Sequence, residues 1–282
     1  MDVVRDTAEL RARIGEWRRE GARIGFVPTM GNLHNGHFSL IALARTRAER
    51  VVASVFVNPT QFGPREDFAS YPRTPEQDSA GLAAQGCDLL FLPAVETIYP
   101  FGAQHTVRVE VPVVSEPLEG VLRPGHFAGV ATVVTKLFHL VQPDVAVFGR
   151  KDYQQLLVIQ RLVADLGLPV EIVPAPTLRE ANGLAMSSRN QYLTAEERER
   201  AGVIHRTLCT MRDAVNAGRD RGAIEAEALA ALANAGLVPD YATIRRQADL
   251  AEPAAGERVG LIALIAARLG RARLIDNLVT DP

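Results

Sequence analysis

Arg23-Ile24-Gly25-Phe26-Val27-Pro28-Thr29 runs as an apolar, strand-like segment into Met30-Gly31-Asn32-Leu33, and His34-Asn35-Gly36-His37 then opens an amphipathic helix. A helix start presents unpaired backbone N–H groups and the positive end of the helix dipole, so it is suited to hold phosphate. Two histidines three residues apart on a first turn share a face, which lets both rings address one anion. Gly31 permits a sharp strand-to-helix turn, and Gly36 lets a ligand come close between the rings. The strand-turn-helix context is what lifts this segment above a chance pair of histidines.

Outward from this segment the chain keeps a strand-helix rhythm. Residues 51–57 and 87–92 read as buried strands, with a helix between them that starts at Thr74-Pro75, Thr as N-cap and Pro at the first helical position. Residues 105–111 alternate like a half-exposed strand. Residues 127–141 have helical period, 144–148 return to strand, 152–166 form a helix, and 170–173 a last short strand. The pattern predicts an α/β domain with a doubly wound parallel sheet, Rossmann-like, over residues 1–174. In such sheets ligands bind beyond the carboxyl ends of the strands, at the switch point.

Pro174-Ala175-Pro176 reads as a hinge, and the texture changes after it. Thr194-Ala195-Glu196-Glu197 is a capping box for a long helix. Ala- and Arg-rich helix continues to about Gly236, and residues 241–245 and 259–266 are strand-like. Residues 175–282 are therefore expected to form a smaller α+β domain.

Composition excludes several classes. The chain has 282 residues, 47% of them hydrophobic and 23% charged, which fits a globular protein with a large core. A net charge of −2 supplies no basic field for nucleic acid or an anionic membrane. The two cysteines, Cys87 and Cys209, have no metal-ligand spacing and read as reduced thiols. No signal peptide and no membrane-length apolar run is visible, so a cytoplasmic location is expected. Only Lys136 and Lys151 are lysines, against 29 arginines, which makes each a candidate for a place that needs a compact charge. No GxGxxG follows the first strand, and there is no Walker loop, HExxH or GxSxG.

The chemistry-bearing segments fall where strands end. Besides residues 28–37 they are Asn58-Pro59-Thr60-Gln61-Phe62, Phe148-Gly149-Arg150-Lys151-Asp152-Tyr153-Gln154-Gln155, and Asn182-Gly183-Leu184-Ala185-Met186-Ser187-Ser188-Arg189-Asn190. Each alone has an ordinary reading: a loop amide, a helix cap, turn hydroxyls, a solvated cation. Together they bring histidines, a lysine, an arginine, two hydroxyls and a helix start, which suit a triphosphate. They also bring Gln61 and Gln155, which suit a small polar substrate.

An HxGH followed by a later Met-Ser-x-Arg resembles the nucleotidyltransferase superfamily. Within it, all four segments resemble the pantothenate synthetase (pantoate–β-alanine ligase) family over nearly the whole chain. Phe68-Ala69-Ser70-Tyr71-Pro72-Arg73-Thr74, Arg123-Pro124-Gly125-His126-Phe127 and Arg273-Leu274-Ile275-Asp276-Asn277 add to the match. The resemblance implies that ATP and (R)-pantoate form pantoyl adenylate and pyrophosphate, and that β-alanine then yields pantothenate and AMP. It implies catalytic roles for His34, His37, Lys151 and Arg189, with His37 the family's proton donor. The ATP contacts would come from Met30, Gly31, Asn32, Leu33, His34, Asn35, Gly36 and His37, then from Gly149, Arg150, Lys151 and Asp152. Leu178, Met186, Ser187, Ser188 and Arg189 would complete them, with Leu178 and Met186 on the adenine. Gln61 and Gln155 would bind pantoate, and Gln61 also β-alanine.

A Mg2+ ion would accompany the phosphates, with Asp78 a candidate ligand. A homodimer through the N-terminal domain is implied, with no nucleic-acid or membrane partner. Residues 186–189 lie past the hinge, so closure of a lid-like second domain is expected to shelter the adenylate from water. The sequence departs from the family pattern at Asn35, Arg150 and Asn182, and removes no group the reaction needs. Two other readings stay open here: nucleotidyl transfer to another acceptor, and a silent nucleotide-binding regulator.

Overall fold

A computed structural model describes residues 1–64 and 66–281; Arg65 and Pro282, the last residue of the second predicted domain, lie outside the described residues. The chain divides into two units, residues 1–150 with 154–176, and residues 151–153 with 177–282.

The first unit begins with β1 (Asp2–Val4) and α1 (Thr7–Arg19). Asp6 caps α1 by accepting the Glu9 N–H at 2.8 Å, and Leu10, Ile14 and Trp17 form its buried stripe. Both lie outside the elements expected from the sequence, and a strand of three residues carries little periodicity to read. Then come β2 (Ile24–Thr29), α2 (Asn35–Arg45), β3 (Arg50–Val55), α3 (Pro75–Ala84) and β4 (Leu89–Phe91). The short α4 (Val95–Ile98) and α5 (Glu119–Leu122) precede α6 (His126–Val141), β5 (Val145–Gly149), α7 (Tyr153–Asp165) and β6 (Glu171–Ala175).

The six strands form one parallel sheet in the order β1-β4-β3-β2-β5-β6. Alternation along each strand sends side chains to opposite faces. Ile24, Phe26, Val52, Phe91 and Phe148 pack into one core with helices α1, α6 and α7. Val27, Val51, Ala53, Leu90 and Val147 pack into the other with Ile41 and Ala44 of α2 and Leu82 of α3. Burial on both faces is why these strands read as continuous apolar runs.

β2 is the switch point, with β3 on one side and β5 on the other. It is registered with β3 over all six residues, but with β5 only at Gly25↔Val145 and Phe26↔Ala146. Pro28 has no N–H to offer a ladder, and the carboxyl ends of β2 and β5 part just before it. Loops from both strand ends therefore have room at this crevice.

Two expectations are corrected. Residues 105–111 form no strand: Val107 is exposed, and the Val109 N–H is taken by Thr132 Oγ1 of α6 at 2.9 Å instead of by a neighbouring strand. The expected hinge residues Pro174 and Ala175 lie in β6, paired with Phe148 and Gly149. An edge strand tolerates Pro174 because the missing N–H costs no inner ladder bond.

The second unit carries α8 (Ala195–Ala201), α9 (Val203–Asn216) and α10 (Arg221–Asn234), then β7 (Val238–Arg246), β8 (Leu261–Leu269) and β9 (Ala272–Val279). The strands form an antiparallel sheet β7-β8-β9. Its core joins Ile204, Leu208 and Met211 with Ile224, Leu232, Ile244 and Ile265. The capping box is present, with Glu197 N–H donating to Thr194 Oγ1 and Thr194 N–H to the Glu197 carboxylate. β9 adds a third strand to the two expected here. Among the described residues no helix is long and apolar enough to cross a membrane.

Candidate active site

The loop from β2 to α2 is built on two consecutive residues at positive φ, Gly31 (86°) and Asn32 (52°). A Cβ on Gly31 would lie 2.9 Å from Val55 Cγ1 and 3.0 Å from Asp78 Oδ2, so the position requires glycine for space as well as conformation. Asp78, 2% exposed on α3, closes this loop. Its carboxylate accepts the Asn32 N–H at 2.9 Å, the Leu33 N–H at 2.7 Å and the Thr74 hydroxyl at 3.1 Å.

His34 is the N-cap of α2 and His37 its third residue. His34 Nδ1 accepts the Gly36 N–H at 3.1 Å, and His37 Nδ1 accepts the His34 N–H at 3.3 Å. The pair is thus a capping box made of imidazoles. Since both Nδ1 atoms are acceptors, each neutral ring carries its proton on Nε2. The ring centroids stand 4.1 Å apart. The arrangement gives two N–H donors with fixed tautomers beside the positive end of a helix, a setting for phosphate oxygens.

Gln61 sits in a short 3-10 turn (Pro59–Gln61) after β3 and is 8% exposed. Its Oε1 accepts from Asn58 Nδ2 at 3.0 Å, and its Nε2 donates to Met30 Sδ at 3.1 Å, so the amide faces the start of the histidine loop. Asn58, 1% exposed, is held by Tyr99 OH at 2.7 Å and donates to the Gly129 carbonyl at 3.2 Å. Gly149 ends β5, Arg150–Asp152 make a 3-10 turn, and half-buried Gln155 lies in the first turn of α7. Its neighbour Gln154 is buried and structural, donating to the Val114 and Pro117 carbonyls and accepting the Glu119 N–H.

In the second unit, Lys151 and Ser187 line one small cleft with Leu184, Ala185, Asn190, Ile204 and residues 274–276 of β9. Lys151 Nζ is 3.4 Å from Asp152 Oδ1, and its carbonyl accepts from Asn277 Nδ2 at 2.9 Å. Residues 178–186 fold back on themselves: Met186 N–H donates to Leu178 O and Glu180 N–H to Leu184 O, around the bridge Arg179↔Ala185. Leu178 and Met186 therefore stand side by side across this bridge. Ser187 caps the turn Ser188–Tyr192 by accepting the Arg189 N–H at 3.3 Å. Arg179 pairs with buried Asp276 through two bonds of 2.5 and 3.0 Å, fixing this segment to β9. Asn182 accepts the Leu184 N–H and donates to the Arg198 carbonyl, so this departure from the family pattern does loop-anchoring work.

Sequence reasoning missed the anchoring work of Asn58 and Asp78. The sequence offers Asp78 as a Mg2+ ligand, but its oxygens already face two backbone N–H groups and a hydroxyl in a buried position, which does not fit a metal ligand. Among the described residues, no three His, Cys, Asp or Glu side chains converge as a metal-holding group.

The chain matches the family described as Pantoate-beta-alanine ligase over residues 2–279. It is 60% identical over 279 residues to the pantothenate synthetase of Xylella fastidiosa (strain 9a5c), covering 99% of each chain. Against that of Stenotrophomonas maltophilia (strain K279a) it is 60% identical over 269 residues, covering 95% of this chain and 96% of the relative. A crystal structure of the Thermus thermophilus pantothenate synthetase superposes with a TM-score of 0.93 at 48% identity, over 100% of both chains. A Francisella tularensis pantoate-beta-alanine ligase, solved in complex with beta-gamma ATP and beta-alanine, superposes with a TM-score of 0.84 at 34% identity, over 100% of this chain and 98% of that one.

Proposed function

The chain belongs to the pantoate–β-alanine ligase family, and from that premise we propose that it condenses (R)-pantoate with β-alanine through a pantoyl adenylate. The observation that carries the mechanism is the imidazole capping box, which fixes both Nε2–H groups as donors. In the first step a pantoate carboxylate oxygen bonds to the α-phosphorus of ATP and the bond to pyrophosphate breaks. A carboxylate is already nucleophilic, so this step needs positioning and charge stabilisation more than a base. His34 and His37 donate to the phosphate oxygens as their charge grows. Lys151, Ser187, Ser188 and Arg189 hold the phosphates, and Gly149 and Asp152 the ribose. Leu178 and Met186 line the adenine.

Gln61 and Gln155 orient pantoate. In the second step the β-alanine amine bonds to the acyl carbon, loses a proton, and displaces AMP. A Mg2+ ion accompanying ATP would neutralise phosphate charge, and Asp78, whose carboxylate is committed to the Asn32 and Leu33 N–H groups, would not hold it. The same reading makes the enzyme a cytoplasmic homodimer.

The test incubates the protein with ATP, Mg2+ and (R)-pantoate, with and without β-alanine, following pyrophosphate and AMP. Pyrophosphate limited to about one per active site without β-alanine, and steady AMP only with it, is the expected result. Absence of pyrophosphate from a protein that binds ATP would overturn the assignment.

A further inference from the structure

Gln61 is held by its backbone as well as its side chain, and the group holding the backbone is the His126 ring. His126 opens α6 and is 9% exposed. Arg123 Nη1 lies 3.0 Å from His126 Nε2, and His126 Nδ1 lies 2.9 Å from the Gln61 carbonyl oxygen. A guanidinium can only donate, so Nε2 accepts and the ring proton sits on Nδ1, where it donates to Gln61. Arg123 is itself fixed by Glu66, with Nε and Nη2 donating to the two carboxylate oxygens at 2.7 and 2.6 Å. That pair is three-quarters buried and bidentate, the geometry in which an arginine pair is most directional.

Gln61 and Glu66 lie on one loop, Arg123 and His126 on one helix approach. The loop is therefore pinned at both Gln61 and Glu66 by residues one turn apart. It is also pressed onto α6: a Cβ on Gly129 would stand 2.4 Å from the Thr60 carbonyl oxygen.

Resting on the reading of Gln61 as the amide for pantoate and β-alanine, we infer that Glu66, Arg123 and His126 are positioning residues that set Gln61 for the acid and amine substrates. Burial, then the charge of Arg123, holds the His126 pKa down to about 4, against the opposing pull of the bond to the Gln61 carbonyl and then of Glu66 and Glu119. The ring thus keeps one tautomer through the neutral range. A proton on Nε2 would turn an N–H on the guanidinium and break the chain at its centre.

The two amide replacements of His126 separate positioning from bulk structure. Asn places its amide nitrogen near the position of Nδ1 and keeps the donor to Gln61; Gln places it near Nε2 and loses that donor. His126→Gln is expected to raise KM for pantoate about tenfold, the cost of an unsatisfied buried carbonyl, with KM for ATP unchanged. His126→Asn is expected to stay within about threefold of the parent for both. Equal effects of the two variants, or an equal rise in KM for ATP, would overturn the inference.

Nitrogen-15 spectra of the histidines in the unaltered protein, with His126 identified by its loss in His126→Asn, give an independent reading. A neutral Nδ1–H ring at about pH 6 is expected, and an Nε2–H ring or an imidazolium there would overturn the chain. If the unaltered protein releases no pyrophosphate with pantoate, the assigned reaction fails while the spectra still decide the ring.

Discussion

Oδ1 of Asp78 accepts the backbone N–H of Leu33 at 2.7 Å, and Leu33 immediately precedes His34. A buried carboxylate on α3 therefore sets where α2 begins, and with it the direction of both imidazoles.

Replacing Asp78 by Ala leaves the Asn32 and Leu33 N–H groups without their acceptor. Charge-assisted bonds of this kind are worth about 1.5–3 kcal/mol each, and loop relaxation recovers part, so a loss of about 2–4 kcal/mol is expected. Urea denaturation measures it. KM for ATP should rise in parallel, while the Mg2+ concentration for half-maximal activity stays put. A shift in that midpoint would restore Asp78 as a metal ligand.

His34→Asn and His37→Asn each retain a side-chain oxygen near the position of Nδ1 and remove the Nε2–H donor. Asn is a favourable N-cap, so stability at position 34 should change by less than about 1 kcal/mol. Loss of a donor to a charge-building oxygen typically costs about 10²–10³ in kcat. Single-turnover formation of the adenylate is the step to follow. Loss of stability without loss of rate would make the histidines caps alone.

His126 predicts a defined acid sensitivity. Its folded pKa of about 4 lies below the ordinary 6.5, so the unfolded chain takes up a proton that the folded ring refuses. Its contribution is full above pH 6.5, declines as pH falls toward 4, and amounts to about 3 kcal/mol at most. Burial also lowers His205. For Glu66, burial pulls upward, but the bond and charge of Arg123 outweigh it and leave the group below 4.5, adding a loss at more acid pH. Urea midpoints across this range should fall less steeply in His126→Asn than in the parent, the residual slope belonging to the other groups.

Cys87 is 4% exposed, and burial pushes its thiol up to about 11. Cys209 is half-buried on α9. A disulfide-exchange reagent near pH 8 should titrate Cys209 in the folded protein and reach Cys87 only in denaturant, since the thiolate is the reacting form. Prompt reaction of both would mean that the β3–β4 region opens readily.

What could be read from the sequence was whatever follows from local pattern. The strands at Ile24–Thr29 and Arg50–Val55 announce themselves because both faces are apolar, and the Thr194–Glu197 box because its spacing is local. Residues 105–111 show the limit: their alternation suits a strand, but Thr132 on a distant helix supplies the hydrogen bond. The site divides the same way. The motifs named the residues that would meet ligand, whereas Asp78, Asn58 and the Glu66–Arg123–His126 chain act through partners 46, 71 and 57–65 residues away, beyond the reach of any spacing rule. That histidines could cap their own helix was not legible either, because Ser, Thr, Asp and Asn are the usual caps.

The alternation along Ile24–Thr29 also governs how this chain can vary. A substitution at one position alters one contact with one core. A single inserted or deleted residue would exchange the faces of those beyond it, driving Phe26 and Val27 into each other's places and displacing Gly31 from the spot where Val55 and Asp78 leave room for it. Change in this segment can therefore proceed by replacement but not by length. The irregular stretch between α4 and α5, where Phe101 and Val107 face solvent, can accept changes in length that the strand cannot.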